Sequence, residues 1–265
     1  MSIKDVGRYL RCLFWGAVVS WIDNTRYKAS LIIYLLDVLL SGLAFALLGK
    51  SIVYQKGISV YGTDNPVAFI VSGLVITHLI NPVYERASWN ARGIYNAMKS
   101  PVPLWLGIMQ NIVMGYIWSI VTMSINIAIL FLFGIVFNAN IVSILLLLPL
   151  SLSVMFSLGV LSAGCNLIVK RGDPVRFVTM ALTYYFSGRI FPVQILPASL
   201  QSVAWVLPQT WIYYLWRKSL FANASPLEIL NGLLFLTVTL VVLASIAYGV
   251  FQYGINKIRE EGLIE

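Results

Sequence analysis

The chain has 265 residues and a formal net charge of +8; 59% of its residues are hydrophobic and only 11% are charged. An ordinary soluble domain is about 45–50% apolar and about 25% charged, and a disordered chain is polar and poor in aromatic residues. The composition therefore excludes both classes and predicts an all-α, polytopic membrane protein built as one domain over residues 1–265.

The first predicted element is an amphipathic helix over residues 1–28. Apolar side chains recur there at helical spacing, and basic side chains lie nearer the opposite face. We expect this helix to rest in the cytoplasmic membrane interface, and its candidate functional residues are Arg8, Arg11 and Phe14. Two interpretations stay open: a surface anchor without a partner, or a collar that transmits force from a cytoplasmic partner.

Six apolar stretches are predicted to span the membrane, since a spanning helix needs about 20 residues. They cover residues 30–49, 66–84, 104–137, 141–169, 175–191 and 229–253, approximately. The segment 192–222 is too apolar for a solvated loop, yet it contains Pro192, Pro197 and Pro208. It predicts two short re-entrant helices on the outer side, before the last span.

The basic residues predict the orientation of these spans. Six spans put both termini on one side, and thirteen of the eighteen Lys and Arg residues fall on that side. The positive-inside rule then places both termini in the cytoplasm of a multi-pass plasma-membrane protein. The net charge is thus explained by the lipid bilayer, with no nucleic-acid partner. The five basic residues assigned to the outer side are Lys50, Lys56, Arg189, Arg217 and Lys218.

The segment 85–101 joins the second and third predicted spans. It is short, mixed in charge and ended by Pro101 and Pro103, which predicts a short helix at the membrane surface. A plain connecting loop would not need Trp89, Tyr95 and Met98, whereas a groove in a partner protein would bind such side chains.

The sequence predicts no catalytic, metal or cofactor site, and hence no enzyme. His78 is the only histidine, and Cys12 and Cys165 are far apart in the chain. Ala44–Ser51 matches a relaxed P-loop pattern, but its central residues are the apolar end of a predicted span rather than a flexible phosphate-binding loop.

Two ionisable residues lie within predicted spans. Asp37 and His78 are each about eight residues from the inner end of their span, so antiparallel neighbours would bring them to similar depth. We expect a polar contact between them, which is either a packing hydrogen bond or part of a substrate- or proton-linked site.

These features together resemble the membrane subunit of ABC-2 family transporters, the type V exporter architecture. The resemblance covers nearly the whole chain and rests on the amphipathic first helix, the six spans and the order of several short motifs. The motifs are Glu85-Arg86 with Gly93 and Ser100-Pro101, the block Ser187–Pro192 with Pro197, Leu207–Thr210, and Arg217.

The resemblance implies a mechanism. Two membrane subunits, identical or different, would pair, and each would sit on a separate cytoplasmic ABC ATPase that binds the ATP and Mg. The segment 85–101 would be the coupling helix, although Trp89 and Asn90 depart from the family's commoner pattern. The implied coupling residues are Glu85, Arg86, Ser88, Trp89, Arg92, Tyr95, Met98 and Lys99. The re-entrant helices would form an outer gate with Phe191, Pro192, Pro197, Pro208 and Trp211.

The late motifs look closest to the daunorubicin-resistance-like drug exporter branch. This implies export of hydrophobic or amphipathic small molecules by alternating access. The alternatives are export of a lipid-linked polysaccharide or other lipid-linked glycan, and a passive channel or structural membrane subunit. The candidate transport path consists of Asp37, His78, Tyr84, Tyr184 and Tyr185.

Overall fold

The computed structural model describes residues 3–51, 57–88, 104–169 and 173–260, and within these ranges the chain is helical with no strand. Two single 3₁₀ turns lie at Ser59–Tyr61 and Val193–Ile195. The α-helices are α1 (Ile3–Arg26), α2 (Lys28–Ser51), α3 (Pro66–Ala87), α4 (Leu104–Leu132), α5 (Ile141–Val169), α6 (Pro174–Phe186), α7 (Ala198–Val206), α8 (Pro208–Phe221) and α9 (Leu230–Glu260).

Five of the described helices, α2, α3, α4, α5 and α9, are long and apolar enough to cross a membrane, where the sequence predicts six. The difference lies in the fifth predicted span, residues 175–191. Its helix α6 has only 13 residues, which is about 20 Å against a hydrocarbon core of about 30 Å. The helix ends before Gly188, whose positive φ of 73° breaks the helical path.

Local sequence signals set several helix starts. Asn65 caps α3 by accepting a hydrogen bond from the Val67 amide at 2.9 Å, and Pro66 fills the first helical position. Asp173 caps α6 in the same way, through the Arg176 amide at 2.8 Å. The Asp173 carboxylate also accepts hydrogen bonds from two α5 side chains, Ser162 and Asn166, so the cap fastens the start of α6 to the C-terminal end of α5.

Helix α3 lies at the centre of the bundle and packs against α2, α4 and α5. Two glycines permit the closest approaches: a Cβ on Gly49 of α2 would lie 2.9 Å from the Val67 Cα, and a Cβ on Gly159 of α5 would lie 2.7 Å from the Tyr84 carbonyl oxygen. On the α4 side, the Tyr116 hydroxyl donates to the Leu79 carbonyl at 2.9 Å. Small residues at such contacts let helix backbones approach within a membrane.

Helices α5 and α9 run side by side in the same direction. Near their C-terminal ends, a Cβ on Gly164 would lie 2.8 Å from the Phe251 Cα, and one on Gly254 would lie 2.9 Å from the Leu167 Cβ. At the opposite end, the Ser143 hydroxyl of α5 donates to the carbonyl of Ala224, just before α9, at 2.7 Å. The chain between α5 and α9 therefore returns from one end of the bundle to the other.

Helices α7 and α8 form a hairpin whose second arm runs antiparallel to α5. The Trp216 indole donates to the Ser151 hydroxyl at 3.1 Å, about a third of the way along α5, whereas Ala224, past the end of α8, accepts from Ser143 near the start of α5. Earlier in α8, Tyr213 shares a 2.8 Å hydrogen bond with Thr77, about three turns into α3. The start of α8 consequently lies deeper in the bundle than its end.

Arg217 fastens this hairpin to the rest of the bundle. The side chain is fully buried, and it donates to the carbonyls of Gly188 at 2.6 Å, Arg189 at 2.7 Å and Phe69 at 3.0 Å. Its Nε donates to the Ser72 hydroxyl at 3.2 Å, and its guanidinium carbon lies 3.8 Å from the centroid of the Phe69 ring.

Of the five basic residues assigned to the outer side, Arg217 is fully buried and Arg189 is partly buried. Lys50 is exposed, Lys218 is partly buried, and Lys56 lies outside the described residues. Burial of a side chain does not decide the side of the membrane on which it lies, so the assignment of these residues to the outer side stays a prediction.

Helix α1 lies lengthwise along the first half of α4, in the same direction. The Tyr9 ring packs edge-on against Trp105 at a centroid distance of 5.4 Å, and further along Trp21 stacks on Trp118 at 5.7 Å. Arg11 and Phe14 are exposed. The helix predicted over residues 1–28 is thus present and held by α4, and its position at the cytoplasmic interface stays a prediction.

Replacing Arg217 with Met should lower the free energy of unfolding by roughly 3–5 kcal/mol, because three carbonyls and one hydroxyl lose their donor in a buried site. Thermal unfolding of the purified protein in detergent measures the effect. Lys218→Met is the matched control, since Lys218 is only partly buried and its ammonium lies over the Tyr214 ring at 5.0 Å. Equal losses for the two variants would contradict the assigned role of Arg217.

Replacing Gly164 with Ala should destabilise the protein by about 1–3 kcal/mol, because the added methyl group overlaps the Phe251 backbone. Gly249→Ala is the control: it lies in α9, and a Cβ there meets nothing within 4 Å. The control should be neutral or slightly stabilising, as alanine favours helix. Unfolding temperatures of both variants check the difference, and an unchanged Gly164→Ala protein would contradict the close α5–α9 packing.

Candidate functional site: a polar cavity inside the helix bundle

A cavity of about 390 Å³ lies between α2, α3, α4, α6 and the segment after α6. We call it the central cavity. Its lining mixes polar and apolar groups, and the cavity opens at the surface, where Tyr34, Arg86 and Met180 are exposed. Polar groups within membrane spans characteristically face protein or water. The lining residues are Tyr34, Thr77, His78, Asn81, Pro82, Glu85, Arg86, Gly115, Trp118, Ser119, Thr122, Met180 and Arg189.

One face of α3 supplies much of the polar wall. His78, Asn81, Pro82, Glu85 and Arg86 recur at the three- and four-residue spacing that places side chains on a single helix face. The stripe extends for about two turns, or about 12 Å, from the middle of α3 to its C-terminal end. The cavity consequently connects the interior of the bundle with the start of the segment predicted to couple to an ATPase.

The facing wall belongs to α4, with Gly115, Trp118, Ser119 and Thr122 at the same spacing. Gly115 leaves room for Arg86, since a Cβ there would lie 2.9 Å from the Arg86 Cγ. The Ser119 hydroxyl donates to the His78 carbonyl. Helices α3 and α4 are thus in close contact at Gly115 and Arg86, and about one turn away they are joined by the Ser119–His78 hydrogen bond.

Aromatic side chains from three helices meet at Trp118. Its ring stacks on Trp21 of α1 and packs edge-on against Tyr34 of α2 at a centroid distance of 5.3 Å. The Tyr34 hydroxyl shares a 2.7 Å hydrogen bond with Thr122. The buried indole nitrogen of Trp118 has no hydrogen-bond partner among the described residues.

Arg189 enters the cavity from the irregular segment that follows α6. Its backbone is held, because its carbonyl accepts a hydrogen bond from Arg217. Its side chain lies against Tyr184, with 5.5 Å between the guanidinium carbon and the ring centroid. The buried Nε of Arg189 lacks a hydrogen-bond partner in the part of the chain that the structure describes.

The predicted coupling residues divide into two groups. Glu85 and Arg86 line the central cavity, and Ser88 is buried against α5, with its hydroxyl donating to the Glu85 carbonyl at 3.0 Å. The remaining coupling residues lie outside the described residues: Trp89, Arg92, Tyr95, Met98 and Lys99. Of the three interfacial-helix residues, Arg8 lies in α1, and Arg11 and Phe14 are exposed on it.

The expected contact between Asp37 and His78 is not formed. His78 lines the central cavity, whereas Asp37 is exposed on α2 and is not part of the lining. Helix rotation explains the difference: α2 turns Val38, Gly42 and Ala46 toward the bundle, and this leaves Asp37 outside.

The tyrosines of the predicted transport path do not meet either. Tyr84 is buried in the hydrophobic core with residues of α5 and α8. Tyr184 and Tyr185 are exposed on α6 and border a second depression of about 630 Å³, which we call the α6 depression. It is lined mainly by apolar and aromatic side chains, and it shares Met180 and Arg189 with the central cavity.

The predicted gate residues lie on and around the α7–α8 hairpin. Phe191 and Pro197 are exposed, and Pro192 is buried. Pro208 is the first residue of α8. Trp211 donates from its indole to the Trp205 carbonyl at 2.8 Å. Their role as an outer gate stays a prediction.

The hairpin region is also fastened through Tyr61, in the 3₁₀ turn between α2 and α3. The Val193 amide donates to the Tyr61 hydroxyl at 3.0 Å. Burial raises the pKa of Tyr61 above its usual value, although the Val193 hydrogen bond and Arg217 act in the opposite direction. The phenol therefore stays neutral at physiological pH.

No protein-family model and no curated protein matches this chain. The function must accordingly be argued from the geometry of the chain itself.

Sequence reasoning missed Asn81, Ser119, Thr122 and Arg189 as site residues. The signal for the first three was present, since polar residues recur on one face of otherwise apolar helices. Arg189 gave no such signal, because it lies in a segment without regular periodicity. Only the path of the chain after α6 brings it beside α3.

The variant Asn81→Cys should react with a membrane-impermeant thiol reagent, because a cavity that admits water stabilises the reactive thiolate. The background carries Cys12→Ser and Cys165→Ser. Leu145→Cys, at a 63% exposed position on α5, is the lipid-facing control, and its reaction should be roughly tenfold slower or more. Labelling rates measured by mass spectrometry check this, and equal rates would contradict a hydrated cavity.

Proposed function

We propose that this chain is the membrane-spanning permease subunit of an ATP-driven ABC exporter. It carries hydrophobic or amphipathic small molecules out of the cell, and a separate subunit hydrolyses ATP. One observation carries the proposal: the central cavity is continuous along α3 from His78 to Glu85 and Arg86. A displacement of the segment that begins there would change the shape of the cavity directly.

Six crossings, with both termini in the cytoplasm, fit this function. The parallel course of α5 and α9 supports an additional crossing between them. In the proposed arrangement, α6 makes the inner part of this crossing and the irregular segment 187–197 completes it. Its carbonyls are supplied with donors by Arg217, which is the condition for non-helical backbone at membrane depth.

The α7–α8 hairpin acts in this proposal as a re-entrant outer gate. The antiparallel course of α8 along α5 supports it, since α8 must begin inside the bundle to run outward. A hairpin fastened at Arg217 and Tyr61 moves as a unit with the segment that it holds. Phe191, Pro192 and Trp211 lie where this unit would open.

Transport follows as a switch between inward- and outward-facing states of two paired membrane subunits. ATP binding closes the ATPase dimer and moves the coupling segment, and α1 follows because it packs on α4. Product release then resets the cavity toward the cytoplasm. The exposed faces of α2 and α6 are available for the second membrane subunit, which is either identical or different.

Replacing Ser88–Lys99 with a neutral, flexible linker of equal length should abolish co-purification of a cytoplasmic ATPase and substrate-stimulated ATP hydrolysis. The linker removes the side chains that a motor would bind. The control is the double variant Lys257→Gln with Arg259→Gln, which also removes two cations at the same end of the bundle. Hydrolysis assays in reconstituted vesicles measure the result, and full coupling with the linker would reject the exporter mechanism.

Export of a lipid-linked glycan is the second candidate. It is favoured by a separate depression of about 290 Å³ beside the hairpin, where Trp205, Trp211 and Tyr214 lie with Lys218, Glu228 and Asn231. Aromatic faces beside charged and amide groups suit a sugar ring. Binding of a soluble oligosaccharide that is lost in Trp211→Ala would favour this candidate over a drug exporter.

A further inference from the structure

Pro82 interrupts the backbone hydrogen bonds of the central helix α3. It lies inside the helix, more than one turn before the end at Ala87. Proline has no amide hydrogen, so the carbonyl four residues earlier, that of His78, has no donor within α3. An unpaired carbonyl is costly at membrane depth, and a proline inside a spanning helix is tolerated where a neighbouring helix or water supplies the missing donor. The His78 carbonyl therefore depends on a group outside its own helix.

Two hydroxyl groups of α4 face this interruption. The Ser119 hydroxyl donates to the His78 carbonyl, which is the one that Pro82 leaves without a helix donor. The Tyr116 hydroxyl donates to the next carbonyl, that of Leu79, at 2.9 Å. Ser119 and Tyr116 are three residues apart, so they lie on one face of α4. The donor that α3 lacks is thus supplied by side chains, whose hydroxyl groups can rotate away.

The part of α3 up to Thr77 is hydrogen-bonded to α8. Arg217 donates to the Phe69 carbonyl at 3.0 Å and to the Ser72 hydroxyl at 3.2 Å. The Tyr213 hydroxyl shares a 2.8 Å hydrogen bond with Thr77. This first segment of α3 is therefore fixed to the α7–α8 hairpin.

Beyond the proline, α3 contacts different helices. The Arg86 carbonyl accepts a hydrogen bond from the Asn111 side chain of α4 at 3.3 Å. A Cβ on Gly159 of α5 would lie 2.7 Å from the Tyr84 carbonyl oxygen, so the α5 backbone packs closely against this second segment. The hydrogen bonds of α3 to its neighbours thus change from α8 to α4 close to the proline. The helix consists of two segments that are held by different elements.

The central cavity lies beside the proline and provides space for movement. Pro82 is one of its lining residues, with His78 and Asn81 before it and Glu85 and Arg86 after it. Protein interiors are close-packed, so a helix that changes direction usually has to displace its neighbours. A space of about 390 Å³ on one side of the proline reduces this cost. A change in the angle between the two segments would also change the spacing of the polar lining residues.

We propose that Pro82 is a hinge between two states of α3. In the state that the structure describes, Ser119 and Tyr116 bind the carbonyls of His78 and Leu79 and hold the helix against α4. In the other state these hydroxyl groups release the carbonyls, water in the central cavity takes their place, and the second segment tilts away from α4. The hinge itself needs no partner. Its use in transport rests on the proposed function, because the tilting segment continues into the predicted coupling helix.

The His78 carbonyl can be observed by itself, because His78 is the only histidine of the chain. Protein purified without a histidine tag, and labelled with histidine that carries ¹³C at its carbonyl carbon, gives one resonance per state. A hydrogen bond shifts this resonance downfield. Two states should give two signals, or one averaged signal whose position changes with temperature. A single downfield signal that keeps its position at every temperature at which the protein stays folded would reject the hinge.

Variants assign the signals. Ser119→Ala removes the donor, so its spectrum should contain only the upfield signal. Pro82→Ala restores the helix amide, so the His78 carbonyl should give only the downfield signal, and adding Ser119→Ala should no longer move it upfield. Ser124→Ala is the control, because this exposed α4 hydroxyl donates to Ile120 within its own helix, and the spectrum should not change. An upfield shift from Ser119→Ala that persists beside Pro82→Ala would contradict the assigned role of the proline.

A cross-link tests whether release of the carbonyl requires tilting. Arg86→Cys with Gly115→Cys places thiols on both helices, since a Cβ on Gly115 would lie 2.9 Å from the Arg86 Cγ, within reach of a disulfide. The background carries Cys12→Ser and Cys165→Ser. The oxidised protein should show only the downfield signal, and reduction should restore both states. Two states in the oxidised protein would mean that the hydroxyl moves without the helix, and the hinge would be rejected.

These measurements contain no ATPase, so their outcome is independent of the coupling experiment. Two states in a chain that binds no ATPase would retain the hinge and reject its use in an exporter. A coupled exporter with a permanently bound His78 carbonyl would retain the proposed function and reject the hinge.

Discussion

A buried guanidinium sets the geometry of the end of the bundle at which α3 begins. Arg217 has no exposed surface, and an arginine in a low-dielectric environment must find acceptors for its donors. It finds them on α3 and on the two residues that follow α6. The irregular backbone after α6 and the cation depend on each other, because each satisfies polar groups that the other would leave unpaired.

The same interaction positions one residue that lines the central cavity. The same carbonyl group that accepts from Arg217 belongs to Arg189, whose side chain supplies a charge to the cavity. The position of the hairpin and the composition of the cavity are therefore linked through a single residue. An exporter needs such a connection between its outer barrier and the site that its cargo occupies, and the proposed function rests on it together with the coupling end of α3.

The helical class and most helix positions were predictable, because long apolar stretches can be recognised in the sequence without knowing any tertiary contact. The polar faces of α3 and α4 were readable from spacing, since His78, Asn81 and Arg86 repeat as helix geometry requires. Depth along a helix did not predict contact between Asp37 and His78, because the rotation of α2 decides which residues turn inward. The burial of Arg217 could not be predicted from the sequence either, because the carbonyl groups that accept its hydrogen bonds belong to distant parts of the chain.

The short length of α6 has a mechanical consequence. At its first turn the helix is fastened to α5 through the Asp173 carboxylate, and just past its last turn it is fastened to α8 through two carbonyls. Between these ends most of its side chains are exposed or only partly buried. A rod pinned at both ends resists translation but can swivel about its own axis. Such a swivel would turn the α6 face of the cavity without separating any of the tightly packed helices.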